Sequence, residues 1–343
     1  MKGSNYITFR DIQSGRLPNG NFDKDVVELM AQENPVLQDV LWKECSRGRE
    51  DITTIRTGMP SATLRMFYQG VEGSKSAKKQ VTNACCTVST ALTFDWRLYQ
   101  QTKDKAAFLA DEQRAHADVV GQGIARLLFY GDTDEDPRGI NGFARTYCEF
   151  AKEGFTDDKK AQFYVLNGGH KTVETADSAL RSIYLIGWGV KSAHGLYPAE
   201  SQMGIQINTL TQQYVDDTNG AGKLNVGIQE MNWDAGLAIR DFRYCGRIAN
   251  IDLTRAFDTS DVPDYTEKIR RLVCRVKGEG VSQRLYMCRQ MFEVLSTQFG
   301  RKTQENAIRY PDLLQKLDAT ILGIPVSFND ALNTDEQAVP EMA

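Results

Sequence analysis

Residues Asp104 to Tyr130, DKAAFLADEQRAHADVVGQGIARLLFY, decide the fold. Phe108, Ala115, Val119, Ile124, Leu127 and Leu128 recur at three-and-four spacing, while Asp111, Gln113, Arg114, Asp118 and Arg126 take other positions. That spacing predicts one long amphipathic helix with an apolar face toward the core. At about 1.5 Å of rise per residue it would run roughly 40 Å, more than a small domain needs. It is therefore expected to underlie several sheet-rich segments, with Gly131 as its stop.

Upstream of this helix, between Asp51 and Trp96, the period changes to two. Ala62, Leu64, Met66 and Tyr68 alternate with Thr63, Arg65, Phe67 and Gln69, and later Ala84, Cys86, Val88, Leu92 and Phe94 alternate with Cys85, Thr87, Ser89, Ala91 and Thr93. Two strands are predicted. Between them QGVEGSKSAKKQ, from Gln69 to Gln80, is too polar for core, so a long hairpin is expected to reach away from the body. A two-stranded ribbon is marginal in water, and a projecting one is expected to lie on another subunit or domain.

Residues 1–20 read as an extended arm. A short helix is expected within Asn21 to Lys43, with Val26, Val27, Met30 and Ala31 on one side, ending at Asn34-Pro35. Val36, Leu37, Val40, Leu41 and Trp42 either staple this arm onto a neighbour or complete the chain's own core, and the sequence leaves both open.

Downstream, GDTDEDPRGINGF carries Asp132, Asp134 and Asp136 at calcium-loop spacing, but Pro137 stands where glycine is needed and Phe143 where a bidentate Glu is needed. A solvated turn is the better reading. Short strands are predicted at Ser182 to Trp188, Met203 to Asn208, Leu224 to Glu230, Gly236 to Phe242 and Gly246 to Leu253. Helices are predicted near Tyr265 to Val276 and Gln290 to Phe299, with a strand from Arg284 to Cys288 between them and a strand-turn-strand in DATILGIPVSFNDAL. The sum is an α+β body.

The 343 residues, 41% hydrophobic and 25% charged, suffice for one large or two ordinary domains. No apolar run approaches the roughly 18 residues of a membrane span, and no membrane partner is expected. The N-terminus lacks a signal-like apolar core, so residence in a cytoplasm is expected. Seven cysteines without CxxC spacing predict buried reduced thiols. A net charge of −4, with Lys75, Lys78 and Lys79 as the densest basic cluster, argues against tight sequence-independent DNA binding.

Catalytic motifs fail one by one. Gly222-Lys223 is followed by Leu224, so no phosphate loop exists, and Ser76-Ala77-Lys78-Lys79 has no Lys-Thr-Gly companion because Val173 follows Lys171-Thr172. His116, His170 and His194 are widely spaced, with His116 expected on a helix surface. Asp157-Asp158 and Asp216-Asp217 lie in polar stretches that read as solvated turns. Trp42, Trp96, Trp188 and Trp233 fit packing better than a sugar platform. No catalytic, cofactor-binding or metal residue is assigned, and no enzyme is expected.

Leu41-Trp42-Lys43-Glu44, Ile55-Arg56-Thr57-Gly58-Met59-Pro60, Gln69-Gly70-Val71, Ser74-Lys75-Ser76 and Phe129-Tyr130-Gly131 follow in an order that resembles the major capsid proteins of short-tailed bacteriophages. Trp188-Gly189, Gly195-Leu196-Tyr197-Pro198, the run Gly236 to Tyr244 and the run Arg247 to Asp252 are similar to the same family. The resemblance implies an α+β chain of the Hong Kong ninety-seven type. Its parts would be an N-terminal arm (1–50), an extended hairpin (51–96), a peripheral domain on the spine helix (97–179) and an axial domain (180–343).

It also implies hexamers and pentamers of this chain closing into an icosahedral shell around double-stranded DNA, in a virion assembled in the host bacterial cytoplasm. Scaffolding, portal and decoration proteins would be further partners, with only weak contact to packaged DNA. The candidate intersubunit residues are Phe67, Tyr68, Lys75, Lys78 and Lys79 in the hairpin and Leu37, Leu41 and Trp42 in the arm. A nanocompartment shell of the same fold and a soluble α+β enzyme are the rival readings.

Overall fold

Pro35 stands at the N-cap of one helical turn, α1 (Val36–Asp39), where its missing N–H costs nothing. Strands β1 (Trp42–Glu44) and β2 (Glu50–Gly58) follow, then β3 (Ala77–Asp95). The Asp95 carboxylate accepts from the Arg97 and Leu98 amides to start α2 (Trp96–Gln101), and Asp104 accepts from Ala107 to start the long helix α3 (Lys105–Tyr130). Next come α4 (Phe143–Thr146), β4 (Val165–Asn167), β5 (Leu180–Trp188), β6 (Ala193–Tyr197), β7 (Ile205–Ile207), β8 (Thr211–Asp216), β9 (Lys223–Ile239) and β10 (Cys245–Asp252). The chain ends with α5 (Tyr265–Arg275), β11 (Ser282–Met287), α6 (Arg289–Arg301), β12 (Ile308–Arg309), β13 (Thr320–Ile321) and β14 (Ile324–Phe328). This computed structural model describes residues 32–152, 154–169, 180–216, 222–253, 263–301, 308–309, 320–334 and 336–342.

Among the described residues fourteen strands form one connected sheet whose main path runs β12-β13-β14-β11-β5-β6-β9-β3-β2. Strand β3 changes partner along its length. Its residues Cys85 to Asp95 pair antiparallel with Gly236 to Val226 of β9, whereas Ala77 to Ala84 pair only with Gly58 to Glu50 of β2. The stretch Cys85 to Asp95 therefore belongs to the sheet, and Ala77 to Ala84 leaves it as a ribbon about 25 Å long.

Helix α3 crosses beneath both parts of the sheet. Near its start Phe108 packs edge-on against Phe94. Midway, His116 Nδ1 lies 2.8 Å from Thr90 Oγ1 and Gln113 donates to Gln229 at 2.7 Å, fixing the helix to β3 and β9. At its end Phe129 meets Tyr184 of β5, Tyr286 of β11 and Phe143 of α4, in the centre of the main core. A helix of this length is thus the common floor of two sheet regions.

The C-terminal segment closes the body. Val339 and Asn250 exchange backbone-to-amide hydrogen bonds of 2.7 and 2.8 Å, and Glu336 and Glu341 bridge to Leu180 and Phe150. Glu336 brings a buried carboxylate to the buried Arg247 guanidinium at 2.7 Å and accepts from Tyr130 at 2.6 Å and from Ser182. Arg247 also donates to Ser182 and to the Tyr147 carbonyl, both at 3.0 Å. One ion pair, with its remaining polar valences filled, ties the end of α3 to β5, β10 and the tail.

Several sequence expectations need correction. Residues 62–68 are not a strand: 59–76 form an irregular, exposed loop, and β3 instead pairs with Glu50–Gly58. Alternation there has no ladder partner to make it a strand. The separate strands expected at Leu224 and Gly236 are one, β9, because its glycines mark close approach rather than turns: a Cβ at Gly227 would stand 2.7 Å from the Phe94 ring. On α3, Ala115 and Val119 face outward, and Val120, Ala125 and Phe129 are buried in their place. His116 is half-buried against Thr90 rather than free on the surface. Strands β1, β4, β6 and β8 had no signal of their own, and the helix expected before Asn34 lies largely outside the described residues.

The expected strands at Ser182, Met203, Gly246 and Arg284, the helices at Tyr265 and Gln290, and the terminal hairpin are all present within a few residues. The cysteines are free, but Cys148 and Cys274 are exposed rather than buried.

Candidate intersubunit surfaces

The ribbon carries its apolar side chains where its protomer has nothing to cover them. Met59, Leu64, Met66, Phe67, Tyr68 and Val71 are all exposed, Leu64 at 100% and Phe67 at 94%. Scattered apolar residues on a surface are ordinary, but six within one loop are an unpartnered patch. The loop is shaped by few bonds: Gln69 N donates to Met66 O at 3.2 Å, its side-chain oxygen accepts from Met66 N at 3.1 Å, and Ser74 reaches Ser61 O at 3.0 Å. Tyr68 sits in the left-handed region, φ 65°, which presents Phe67 and Tyr68 at the crest of a turn.

The expected residues divide. Phe67 and Tyr68 are together at this crest, and Lys75 lies in the same loop. Lys78 and Lys79 fall in β3 opposite Arg56 and Ile55, so successive positions direct them to opposite faces of the ribbon. In the arm, Leu37 and Trp42 pack on the protomer's own core: the Trp42 indole donates to Leu37 O at 3.3 Å and its ring lies 6.0 Å from Trp233. Strand β1 runs parallel to β6, and a Cβ at Gly195 would come within 2.6 Å of both Val40 and Trp42. Leu41 alone of the three is exposed, at 43%.

Two ion pairs that the sequence reading passed over brace the base of the ribbon. Arg49 donates to Asp234 at 3.0 Å and to Thr87, and Arg240 donates to the buried Asp51 at 3.1 Å. Burial raises the Asp51 pKa, but hydrogen bonding from Arg240 and the Lys43 charge outweigh it and hold the carboxyl below its usual range. Beside them His194 is fully buried, and burial together with the Arg240 and Lys43 charges lowers its pKa to about 4, so it stays neutral. Residues of β2 also line an open groove of about 1210 Å³, whose charged side chains are Arg56, Lys159, Lys191, Arg240, Asp241 and Arg243. The arrangement holds the ribbon's root and leaves its crest to something else.

Among the described residues no cluster of His, Cys, Asp or Glu has metal-binding spacing. The acidic turn is internally paired, Arg145 with Asp132 and Asp134 and Arg138 with Asp136.

No curated protein matches this chain. Among solved structures, a chain of the bacteriophage Epsilon15 structure is similar over 99% of each chain, with a TM-score of 0.77 and 23% identity. More distant likenesses are the capsid of the native GTA particle (TM-score 0.46, 6% identity, 67% of this chain and 94% of that one) and the capsid of Myoviridae phage XM1 (0.43, 9%, 72% and 100%). The Epsilon15 likeness shows the Hong Kong ninety-seven type fold, with spine helix, sheet body and projecting ribbon in one chain. The family model described as major capsid protein GP7 matches residues 18–340. With nearly the whole length matched and the fold in agreement, the chain belongs to the major capsid protein GP7 family.

Proposed function

We infer that copies of this chain close into the icosahedral shell of a tailed double-stranded DNA bacteriophage, with hexamers and pentamers as the repeating units. The observation that carries this reading is the ribbon crest, whose apolar set of Met59, Leu64, Met66, Phe67, Tyr68 and Val71 is left in water by the protomer. A second copy is the natural cover, because a shell offers every ribbon the same neighbouring surface and every surface a ribbon. The ribbon's paired half, unbacked by any other strand, gives it the compliance to meet slightly different neighbours in five-fold and six-fold rings.

Leu41 extends the contact set into the arm, whereas Leu37 and Trp42 act by fixing where the arm leaves the body. The family and the fold support a structural rather than a catalytic task, with a place in the virion. Assembly in the host cytoplasm, with scaffolding, portal and decoration proteins as partners, belongs to the same proposal. The net charge of −4 fits a lining that touches packaged DNA weakly and releases it.

The test is expression of the full chain followed by size-exclusion chromatography and negative-stain microscopy. Capsomers or closed particles are expected, and a chain lacking 59–76 is expected to fold and stay small. A wild-type chain that remains a monomer at all concentrations and ionic strengths, alone and with co-expressed scaffolding protein, would overturn the reading.

A further inference from the structure

Where the arm passes the root of the ribbon, the thiols of Cys45 and Cys85 stand 3.3 Å apart, sulfur to sulfur. Both backbones are pinned there by neighbouring strands. Cys45 N donates to Tyr197 O and Cys85 N to Arg49 O, each at 2.9 Å, and Cys85 is in register with Gly236 of β9. Leu196 and Ala238 pack around them in a small apolar cluster. The adjacent Cys86 points to the other face of β3 and bonds Ala235 O at 3.3 Å. The juxtaposition is thus specific to one pair, and both thiols are free.

We propose that Cys45 and Cys85 are an oxidisable dithiol, a site where a peroxide converts two free thiols into an intramolecular disulfide that rings the root of the ribbon. One of the two thiolates attacks a peroxide oxygen, the O–O bond breaks, hydroxide leaves and a sulfenic acid remains. The thiolate of the other cysteine then attacks that sulfur, the S–O bond breaks and a second hydroxide leaves. With the two protons the thiols gave up, two waters form. The pair of cysteines is oxidised and one peroxide is reduced.

The consequence lies in the connectivity. The two residues are 40 positions apart, and the ring they close contains β2, the crest and the distal half of β3. A cross-link there restricts the unfolded chain and fixes the junction of arm and ribbon, yet adds no contact at the crest. Burial raises the pKa of both thiols. At Cys85 the hydrogen bond and charge of Cys45 and the charge of Cys86 raise it further against a smaller effect of Arg49. At Cys45 the hydrogen bond with Cys85 and the Lys43 charge oppose burial while Asp51 and Glu44 add to it, so the reaction is slow at neutral pH and faster in alkali. A site with those properties stays reduced through folding and closes on long exposure to oxidant.

The test uses the full-length chain with the exposed Cys148 and Cys274 replaced by serine, incubated with hydrogen peroxide at neutral and at alkaline pH. The monomer is expected to lose the mass of two hydrogens, with a peptide map joining Cys45 to Cys85. The link should form faster at alkaline pH, and the oxidised protein should have a higher urea midpoint that a reductant reverses. C45S and C85S should each abolish the link and C86S should keep it. Since the map is made on folded protein with all three thiols present, poor folding of a variant leaves the test standing. A link to Cys86, a linkage between chains only, retention of both free thiols, or a link that leaves the urea midpoint unmoved would each overturn the proposal.

Discussion

Strand β3 is one run of backbone with two lives. From Cys85 to Asp95 it lies between β9 and helix α3, and Cys86, Leu92 and Phe94 are buried. From Ala77 to Ala84 it has one partner, β2, and most of its side chains are in water. Both halves alternate and both make ladder hydrogen bonds, so propensity does not separate them. What separates them is a second layer. The lesson is that this strand buries its side chains where a helix backs it, and the unbacked half is left available for a partner.

The largest expected effect is in the backed region. Arg247 and Glu336 are about 95% buried, and removing one leaves the other charged, buried and unpaired. Arg247→Met should lower stability by roughly 3–5 kcal/mol in urea unfolding, and the double variant with Glu336→Leu should recover most of the loss. An Arg247→Met protein as stable as wild type would show that the tail does not close the body. A sharper cut along β3 itself is Leu92→Ala against Val81→Ala. Leu92 is 1% exposed in the aromatic cluster of Phe94 and Phe108, so truncation should cost about 3 kcal/mol, whereas Val81 on the ribbon should cost below about 1 kcal/mol. Equal costs would erase the distinction between the halves.

At the junction of the two regions the expected effect is pH dependence. His194 has a folded pKa of about 4, below the ordinary value near 6.5, so the unfolded state takes up the proton first. Stability from its neutral form is complete above about pH 6.5 and is lost as pH falls toward 4, by up to about 3 kcal/mol. Asp51, held low by Arg240 and Lys43 against burial, and His116, lowered by burial, act in the same direction. Unfolding midpoints measured from pH 7 to pH 4 should fall less in His194→Gln than in wild type. Identical slopes would remove His194 from the account.

How much of this was legible follows the same division. The spine helix was, because 26 residues of one period leave little freedom, and Asp104 and Gly131 stand at its ends. The 62–68 strand was misread because alternation describes side chains, while a strand is made by a partner's backbone, and 59–76 has none. Gly227 and Gly236 looked like breaks because a sequence does not say that Phe94 or Cys85 will lie against them. Arg247 and Glu336 are 89 positions apart, and only topology joins them. At the candidate surface, Phe67 and Tyr68 stand as contact candidates from their place in the expected hairpin, whereas Leu64 reads as part of the same strand, Val71 as part of the polar tip, and Met59 only within a family motif. Lys78 and Lys79 read as a cluster because a list of residues has no faces.

The smallest effect on the protomer should be the largest on the shell. Phe67 and Tyr68 are fully exposed, so Phe67→Ala with Tyr68→Ala removes no intramolecular packing and should move the urea midpoint by less than about 0.5 kcal/mol. If the crest is a contact, the same change removes two aromatic anchors from every ribbon, each worth about 2 kcal/mol where such side chains are buried between subunits. A closed shell multiplies that loss over all its copies, so particle yield in negative stain should collapse while circular dichroism stays as in wild type. The Lys78→Ala and Lys79→Ala pair, on opposite faces, should do less, because one of the two faces away from whatever the ribbon rests on. Wild-type particle yield from the aromatic double variant would mean that the unbacked half of β3 projects for some purpose other than joining one copy to the next.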